Sequence, residues 1–172
     1  MIKIEDFKKY NFIITWKLIN IGFRGSDMFR DQLLVKDILN FAIEKLEGDN
    51  YDETVCELAS EYEDNIDKID YLIKKLASDE NSDFNLELRK WRTIFIAKEI
   101  EGKNDNLIDG LMHLGEIWVR LGFPEDSPHI FQGRNNNITP EEYYTQENYD
   151  YLYEKHIEWL QNEIQFIKRN QS

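Results

Sequence analysis

The sequence contains few of the residues that cross-link a chain or interrupt helices. Its 172 residues include one cysteine, three prolines and eight glycines. The single cysteine, Cys56, cannot form an internal disulfide and excludes a zinc site built on several cysteines. So few prolines and glycines exclude a turn-dense β-sandwich or a low-complexity chain.

Long apolar runs are missing as well. The first residues carry acids where a signal peptide needs an apolar stretch. No apolar run approaches the ~18 residues that a membrane span requires. We therefore expect a cytoplasmic protein that makes no membrane contact.

Positive charge is scarce, with 21 basic against 34 acidic side chains and a formal net charge of −13. This balance argues against general binding to nucleic acid or anionic lipid, because both depend on lysine and arginine. It permits a basic protein partner, although acidity that serves only solubility would give the same composition. Apolar residues are plentiful at 41%, which is enough to build a core.

Apolar residues recur at the helical period in nearly every long segment. We expect helices near 5–9, 16–21, 31–47, 52–62, 65–77, 82–101, 104–122 and 145–168, with Thr15, Asp52 and Ser82 as N-caps. The predicted class is all-α, a single domain over 1–172 that forms an antiparallel bundle of about seven helices. A short α-solenoid of helical hairpins is the alternative.

Two tryptophans, Trp91 and Trp118, lie at the middle of apolar stripes and are predicted to be buried. The stripe that contains Trp118 steps by four and three residues from Leu107 to Leu121, as in a knobs-into-holes seam. Gly110 and Gly115 interrupt this helix at a cost of ~1 kcal/mol each relative to alanine. We interpret them as points where another helix approaches closely.

Residues 123–138 break the helical pattern with two prolines, a glycine and an asparagine tract. Long loops inside compact domains often carry function. No histidine has a partner at metal-site spacing, and no phosphate-binding or nucleophile motif is present. We therefore predict no catalytic residue, no metal ligand and no cofactor.

Acidic residues are concentrated between Glu44 and Asp70, where 11 acids and two lysines give a net charge of −9. Glu53, Glu57 and Glu61 are spaced to stack on one helix face, which costs a few tenths of a kcal/mol per pair. Either this is a solvated face or it binds a basic partner. The candidate partner-binding residues are Glu53, Glu57, Glu61, Asp64, Asp67 and Asp70.

A second acidic segment runs from Thr139 to Glu158, with six acids, one lysine and five of the nine tyrosines. Tyrosine beside glutamate suits the recognition of arginine and lysine. Glu141, Glu142, Tyr143 and Tyr144 are therefore further candidates. The alternative is that these tyrosines attach the long loop to the domain.

Short motifs distributed along most of the chain resemble a known family. They are Trp16-Lys17-Leu18-Ile19 before Gly22-Phe23, then Lys90-Trp91, then Leu121-Gly122-Phe123-Pro124-Glu125-Asp126. In this order they are similar to an uncharacterised family of acidic, all-helical bacterial proteins. The chain departs from the pattern at 25–32, which is longer, and at 131–138, which lacks a Met-Pro type segment.

The resemblance implies no activity and no active-site residue. Such small acidic proteins resemble immunity proteins whose genes lie beside toxin genes. The first hypothesis is therefore a non-enzymatic cytoplasmic immunity protein that neutralises a basic toxin domain, for example a nuclease, through an acidic surface. The alternatives are a small enzyme or ligand-binding bundle with the 123–138 loop as lid, and an adaptor in a larger complex.

Overall fold

The structure is a computed structural model that describes residues 1–26, 30, 32–47 and 52–171. The helices in these residues are α1 (Ile4–Lys9), α2 (Trp16–Arg24), α3 (Val35–Leu46), α4 (Glu53–Ala59), α5 (Ile66–Asp79), α6 (Phe84–Glu99), α7 (Leu107–Arg120), α8 (Pro140–Tyr143) and α9 (Gln146–Asn170). The described part of the chain contains no strand. The predicted all-α class and helical bundle are confirmed, with nine helices in the described residues against a prediction of about seven. Helix α1 matches the short helix expected near 5–9, and the four-residue α8 lies outside the expected segments.

Side-chain caps fix where several helices begin. The Thr15 hydroxyl accepts a hydrogen bond from the Leu18 N–H, and the Asp52 carboxylate accepts from two N–H groups of α4. Asn106 caps α7 in the same way. Thr139 and Glu142 form a reciprocal capping box around α8. These caps satisfy N–H groups that have no partner inside the helix.

Contacts between Cα atoms divide the chain into two compact units. Unit 1 comprises Met1–Ile94 and Ile167–Ser172, and unit 2 comprises Phe95–Phe166. In unit 1, α3 packs on α4, while α5 packs on both α2 and α4. The prediction of a single domain stays a prediction.

Trp91 lies at the centre of the unit 1 core. It is fully buried, and its Nε1 donates a hydrogen bond to the Leu18 carbonyl at 3.0 Å. Its ring meets Phe7 edge to face, with 4.8 Å between centroids. The core around it is aliphatic and includes Ile19, Ile38, Leu58, Ile69, Leu72, Ile73 and Ile94. The prediction that Trp91 is buried is confirmed.

The core of unit 2 is built on the predicted seam of α7. Leu111, Leu114 and Trp118 are buried, whereas Leu107 at the start of the helix is half-buried. The Trp118 Nε1 donates to His156 Nε2 of α9 at 2.7 Å. His156 Nδ1 in turn lies 2.6 Å from the Leu152 carbonyl. The burial of Trp118 is confirmed, with a polar partner that the sequence pattern does not show.

The two glycines of α7 are points of close approach. A Cβ at Gly110 would lie 2.3 Å from Tyr149 Cζ of α9, so this position confirms the prediction. A Cβ at Gly115 would lie 3.3 Å from His129 Nε2. His129 belongs to the 123–138 loop, so the neighbour of Gly115 is a loop and not the helix that was predicted.

Some predicted helix ends are wrong. Helix α4 ends at Ala59, so Glu61 and Tyr62 lie beyond it and not on its face. Asp83, not Ser82, accepts the capping hydrogen bond at α6, from Asn85 N at 2.9 Å. Helix α3 begins at Val35, with Leu34 as its N-cap, and so starts later than the predicted 31. It ends at Leu46, one residue before the predicted end, while Asp31 and Gly48 lie outside the described residues.

Candidate functional site

Four acidic side chains of α4, α5 and the connection between them are exposed and make no ion pair with any described residue. They are Glu53, Glu63, Asp64 and Asp67, which we call the α4–α5 acidic surface. Glu53 opens α4, and Asp67 lies in the first turn of α5. Both positions suit a carboxylate, because the positive end of the helix dipole lies there. Three of these residues were predicted, and Glu63 adds to them.

The other three predicted acids of this region already have cations beside them. Lys68 forms an ion pair with Glu57 and lies 3.7 Å from Glu61. Asp70 pairs with Arg24 and, at 3.2 Å, with Lys74. The hydrogen bond to Glu57 raises the pKa of Lys68. Partial burial raises the pKa of Asp70. The hydrogen bonds from Arg24 and Lys74 outweigh burial and hold that pKa below its usual value.

Exposed aromatic and aliphatic side chains lie among these acids. Tyr62 is 78% exposed, Tyr71 is 61% exposed and Ile66 is 46% exposed. The helix predicted over 52–62 would include Tyr62, but α4 ends at Ala59 and leaves Tyr62 beyond it. Exposed tyrosine beside unpaired carboxylates is a feature that periodicity alone could not show. The arrangement can stack on and form ion pairs with lysine or arginine.

The second predicted surface lies in unit 2 and is only partly exposed. Tyr144 and Glu141 are exposed, and Glu142 completes the capping box of α8. Tyr143 is 7% exposed, and its hydroxyl lies 3.1 Å from His129 Nε2. Burial raises the pKa of Tyr143 to about 12. Tyr143 thus fits the alternative considered for these tyrosines, contact with the long loop, and the partner-binding roles stay predictions.

The 123–138 loop is irregular, as predicted, and is held by its own side chains. The Asn136 amide donates to the Phe131 carbonyl at 2.8 Å and accepts from Gly133 N at 3.0 Å. The Arg134 guanidinium lies 4.1 Å from the centroid of the Phe123 ring. Contacts with neighbouring helices add to these, since Trp159 of α9 donates a hydrogen bond to Asp126 of the loop at 3.3 Å.

A cavity of about 300 Å³ lies between this loop, α7 and the α8 region. Its lining includes Leu111, Met112, Val119, His129, Phe131 and Tyr143. Burial, together with the neighbouring His156, lowers the pKa of His129 to about 3. The imidazole is therefore neutral near pH 7, and its Nδ1 has no hydrogen-bond partner in the described structure. Such a group can donate or accept one hydrogen bond there but cannot supply charge.

Two further features are absent from the described residues. No group of three or more histidine, cysteine or acidic side chains is placed to hold a metal ion. No helix in this part of the chain is both long and apolar enough to cross a membrane.

The fold and surfaces define an acidic protein whose described residues are helical and include exposed carboxylates without an ion pair. Comparison with known families then places the chain. It belongs to the family described as "Uncharacterized protein conserved in bacteria (DUF2247)", whose model matches residues 4–164. No curated protein and no solved structure matches it. The predicted membership of an uncharacterised bacterial family is confirmed.

Proposed function

We propose that this chain is a non-enzymatic cytoplasmic binding protein whose α4–α5 acidic surface docks onto a basic protein domain. One observation carries the proposal. Glu63, Asp64 and Asp67 are exposed without an ion pair in the described structure, and Tyr62 beside them is 78% exposed. Carboxylates placed for solubility alone do not need an exposed aromatic side chain among them.

The chemistry of this surface suits a partner rich in lysine and arginine. Complementary charge accelerates encounter, with association rates up to ~10⁸–10⁹ M⁻¹s⁻¹ at low salt. Tyrosine contributes a large contact area at small entropic cost and stacks on cationic groups. These carboxylates form no ion pair in the described structure, so no existing ion pair has to break when the partner binds. Glu53 and residues 62–67 are therefore the expected contacts.

The finer proposal is that the partner is a toxin domain and that the chain is its immunity protein. A nuclease binds phosphates in a basic cleft, and a rigid surface of carboxylates can occupy that cleft. Family membership gives no activity, so this step rests on charge complementarity and on the resemblance to immunity proteins.

The test uses the basic C-terminal domain of a secreted protein encoded beside this gene. Co-expression of the chain should protect cells from that domain, and surface plasmon resonance should show a stoichiometric complex. Tyr62→Ala should speed dissociation, because a desolvated aromatic anchor acts after encounter. Tyr144→Ala, which changes an exposed tyrosine of unit 2, is the matched control.

The outcomes separate the alternatives. If Tyr144→Ala speeds dissociation and Tyr62→Ala does not, the interface lies around Glu141 and Tyr144, and the α4–α5 acidic surface is excluded. Lack of both binding and protection would overturn the immunity proposal.

A further inference from the structure

Unit 1 contains a polar cavity of about 290 Å³ that is separate from the α4–α5 acidic surface. We call it the Glu87 cavity. It lies between the segment before α2, the connection from α5 to α6, the first turns of α6 and the end of the chain. Its polar lining is Thr15, Asn81, Ser82, Asp83, Glu87, Lys90, Asn170 and Gln171.

A buried ion pair forms one wall of the cavity. Lys90 Nζ lies 3.0 Å from Glu87 Oε1, and each side chain is only 1% exposed. Lys90 Nζ also donates to the Ile13 carbonyl at 2.7 Å. By distance and angle, the second carboxylate oxygen, Glu87 Oε2, accepts no hydrogen bond in the described structure. Burial raises the pKa of Glu87, and the Lys90 ammonium and the nearby Thr15 hydroxyl partly oppose that rise. An unpartnered carboxylate oxygen in a buried position is costly, so a ligand that donates to it gains more than it would at the surface.

Hydrogen bonds hold the rim of the cavity in place. Lys17 Nζ donates to the carbonyls of Glu80 and Ser82 at 2.7 and 2.6 Å. Gln171 accepts from Ile13 N at 2.8 Å and donates to the Asn11 carbonyl at 2.9 Å. Both walls are therefore fixed before any ligand binds, which lowers the entropic cost of binding.

We propose that the Glu87 cavity binds a primary alkylammonium group, with Glu87 Oε2 as its main acceptor. Three side chains of the lining are ionisable, and the two acids, Asp83 and Glu87, outnumber the one lysine. A guanidinium binds best across both oxygens of a carboxylate, but Lys90 already occupies Oε1. An ammonium group is compact and needs only single acceptors. The open oxygen therefore favours the amine.

The ammonium group can come from a free amine or from a lysine side chain of another protein. Titration of the ¹⁵N-labelled chain with propylammonium chloride should shift the amide signals of Leu86–Lys90 and Ile13. Propan-1-ol, a neutral molecule of the same size, should not shift them. Putrescine and N-acetyl-lysine amide then distinguish the sources. Tighter binding of putrescine would indicate a free diamine, and tighter binding of N-acetyl-lysine amide would indicate a lysine side chain. Equal shifts with the alcohol, or none with the amine, would overturn the proposal.

Variants connect the binding to Glu87. Glu87→Gln removes the charge at nearly constant shape and should weaken propylammonium binding by about tenfold to a hundredfold, the usual strength of a charge-assisted hydrogen bond. Because Glu87→Gln leaves Lys90 without its counter-ion, the double variant E87L/K90M, which replaces the buried pair with apolar side chains, provides a second test. It should abolish binding. Glu5→Gln, an exposed acid of unit 1 outside the cavity, is the control with the same charge change and should bind as the unmodified chain does. Unchanged affinity in either Glu87 variant contradicts the proposal.

Discussion

At the scale of single residues, burial gives His129 an unusual role for a loop histidine. It is 6% exposed, its Nε2 meets the Tyr143 hydroxyl, and its pKa is lowered to about 3. In the unfolded chain the imidazole has its ordinary pKa near 6.5. At pH values between about 3 and 6.5, His129 is therefore protonated in the unfolded state but neutral in the folded state. The free energy of unfolding therefore does not depend on His129 protonation above about pH 6.5, and it decreases as the pH falls from there toward 3.

We expect His129 to reduce the free energy of unfolding by about 2 kcal/mol between pH 7 and pH 5. His129→Gln keeps a nitrogen that can reach Tyr143 but does not titrate, so its stability should depend less on pH over that range. Urea unfolding of both proteins at several pH values measures the difference. His156, whose pKa burial also lowers, is present in both proteins. Its ring lies 5.5 Å from that of His129, so the difference between the two profiles includes the coupling between the two imidazoles. Parallel pH profiles would show that His129 has nearly the same pKa in the folded and unfolded states, which would contradict the prediction.

Trp118 gives the second residue-scale prediction. It is fully buried and donates to His156 Nε2, so Trp118→Ala removes a large apolar group and leaves the imidazole without its donor. The expected loss of stability is ~3–5 kcal/mol. Val119→Ala, at the next position and 50% exposed, is the control and should cost less than ~0.5 kcal/mol. A Trp118→Ala protein that melts within a degree or two of the unmodified chain would place the indole at the surface.

The buried residues were predictable where a single helix determines their burial. Trp91 and Trp118 were found because an apolar stripe continues on both sides of each. The burial of Tyr143 was not predicted, because Tyr143 packs against His129, a loop residue 14 positions away, and no local sequence pattern indicates that contact. The buried Glu87–Lys90 pair was missed for a related reason. Two opposite charges three residues apart on a helix normally indicate a solvent-exposed face.

At the scale of helices, the packing of α7 against α9 depends on the missing side chain of Gly110. Tyr149 is 2% exposed, and its hydroxyl donates to the Asn104 carbonyl at 3.1 Å. Its ring occupies the space of a Cβ at position 110. Glycine is thus required by the neighbouring helix, although alanine would favour α7 itself by ~1 kcal/mol.

We therefore expect the effect of Gly110→Ala on the free energy of unfolding to change sign when Tyr149 is removed. Gly110→Ala should lower the free energy of unfolding by ~1–3 kcal/mol, because the added methyl overlaps Tyr149. In a Tyr149→Ala background the same change should raise it, by up to ~1 kcal/mol, because the overlap is gone and the helix propensity remains. Urea denaturation of the four proteins gives the coupling between the two sites. Destabilisation of the same size in both backgrounds would mean that Tyr149 is not the neighbour that requires glycine.

Helix ends were harder to predict than helix faces, and α4 shows the cause. The apolar spacing continues through Tyr62, so the sequence favours a longer helix. The helix instead ends at Ala59, where the Ser60 hydroxyl donates to the Cys56 carbonyl at 2.8 Å and the Asn65 amide donates to Glu61 at 2.9 Å. Local polar contacts therefore outweigh one further turn. The consequence is functional, since it exposes Tyr62 among the acids of the candidate surface.

At the scale of the whole molecule, the all-α class and the excess of acidic residues were predictable from the sequence. The basic residues that pair with particular acids were not. Composition gives the net charge of −13 and its concentration between Glu44 and Asp70. Which carboxylates remain unpaired depends on cations brought from elsewhere, such as Arg24 beside Asp70, 46 residues away. The sequence therefore identified the acidic region, and the fold reduced it to the α4–α5 acidic surface.

That reduction leads to a prediction for association with the proposed basic toxin domain. The Debye length shortens from ~30 Å at 0.01 M to ~10 Å at 0.1 M ionic strength, so an association steered by charge should slow by at least about tenfold. The triple variant E53Q/D64N/D67N should associate more slowly at low salt and show a weaker salt dependence, with dissociation nearly unchanged. Surface plasmon resonance at the two ionic strengths measures both rates.

The control for this prediction removes the same amount of charge from unit 2. Asp105, Glu125 and Glu154 are exposed there, and D105N/E125Q/E154Q changes the net charge by the same three units. If local charge on the α4–α5 acidic surface steers the partner, this control should associate nearly as fast as the unmodified chain. If both triple variants slow association equally, only the net charge of the molecule acts, and the α4–α5 acidic surface has no special part in the encounter. Association that is independent of salt in every protein would remove electrostatic steering altogether and leave Tyr62 and its apolar neighbours as the basis of any binding.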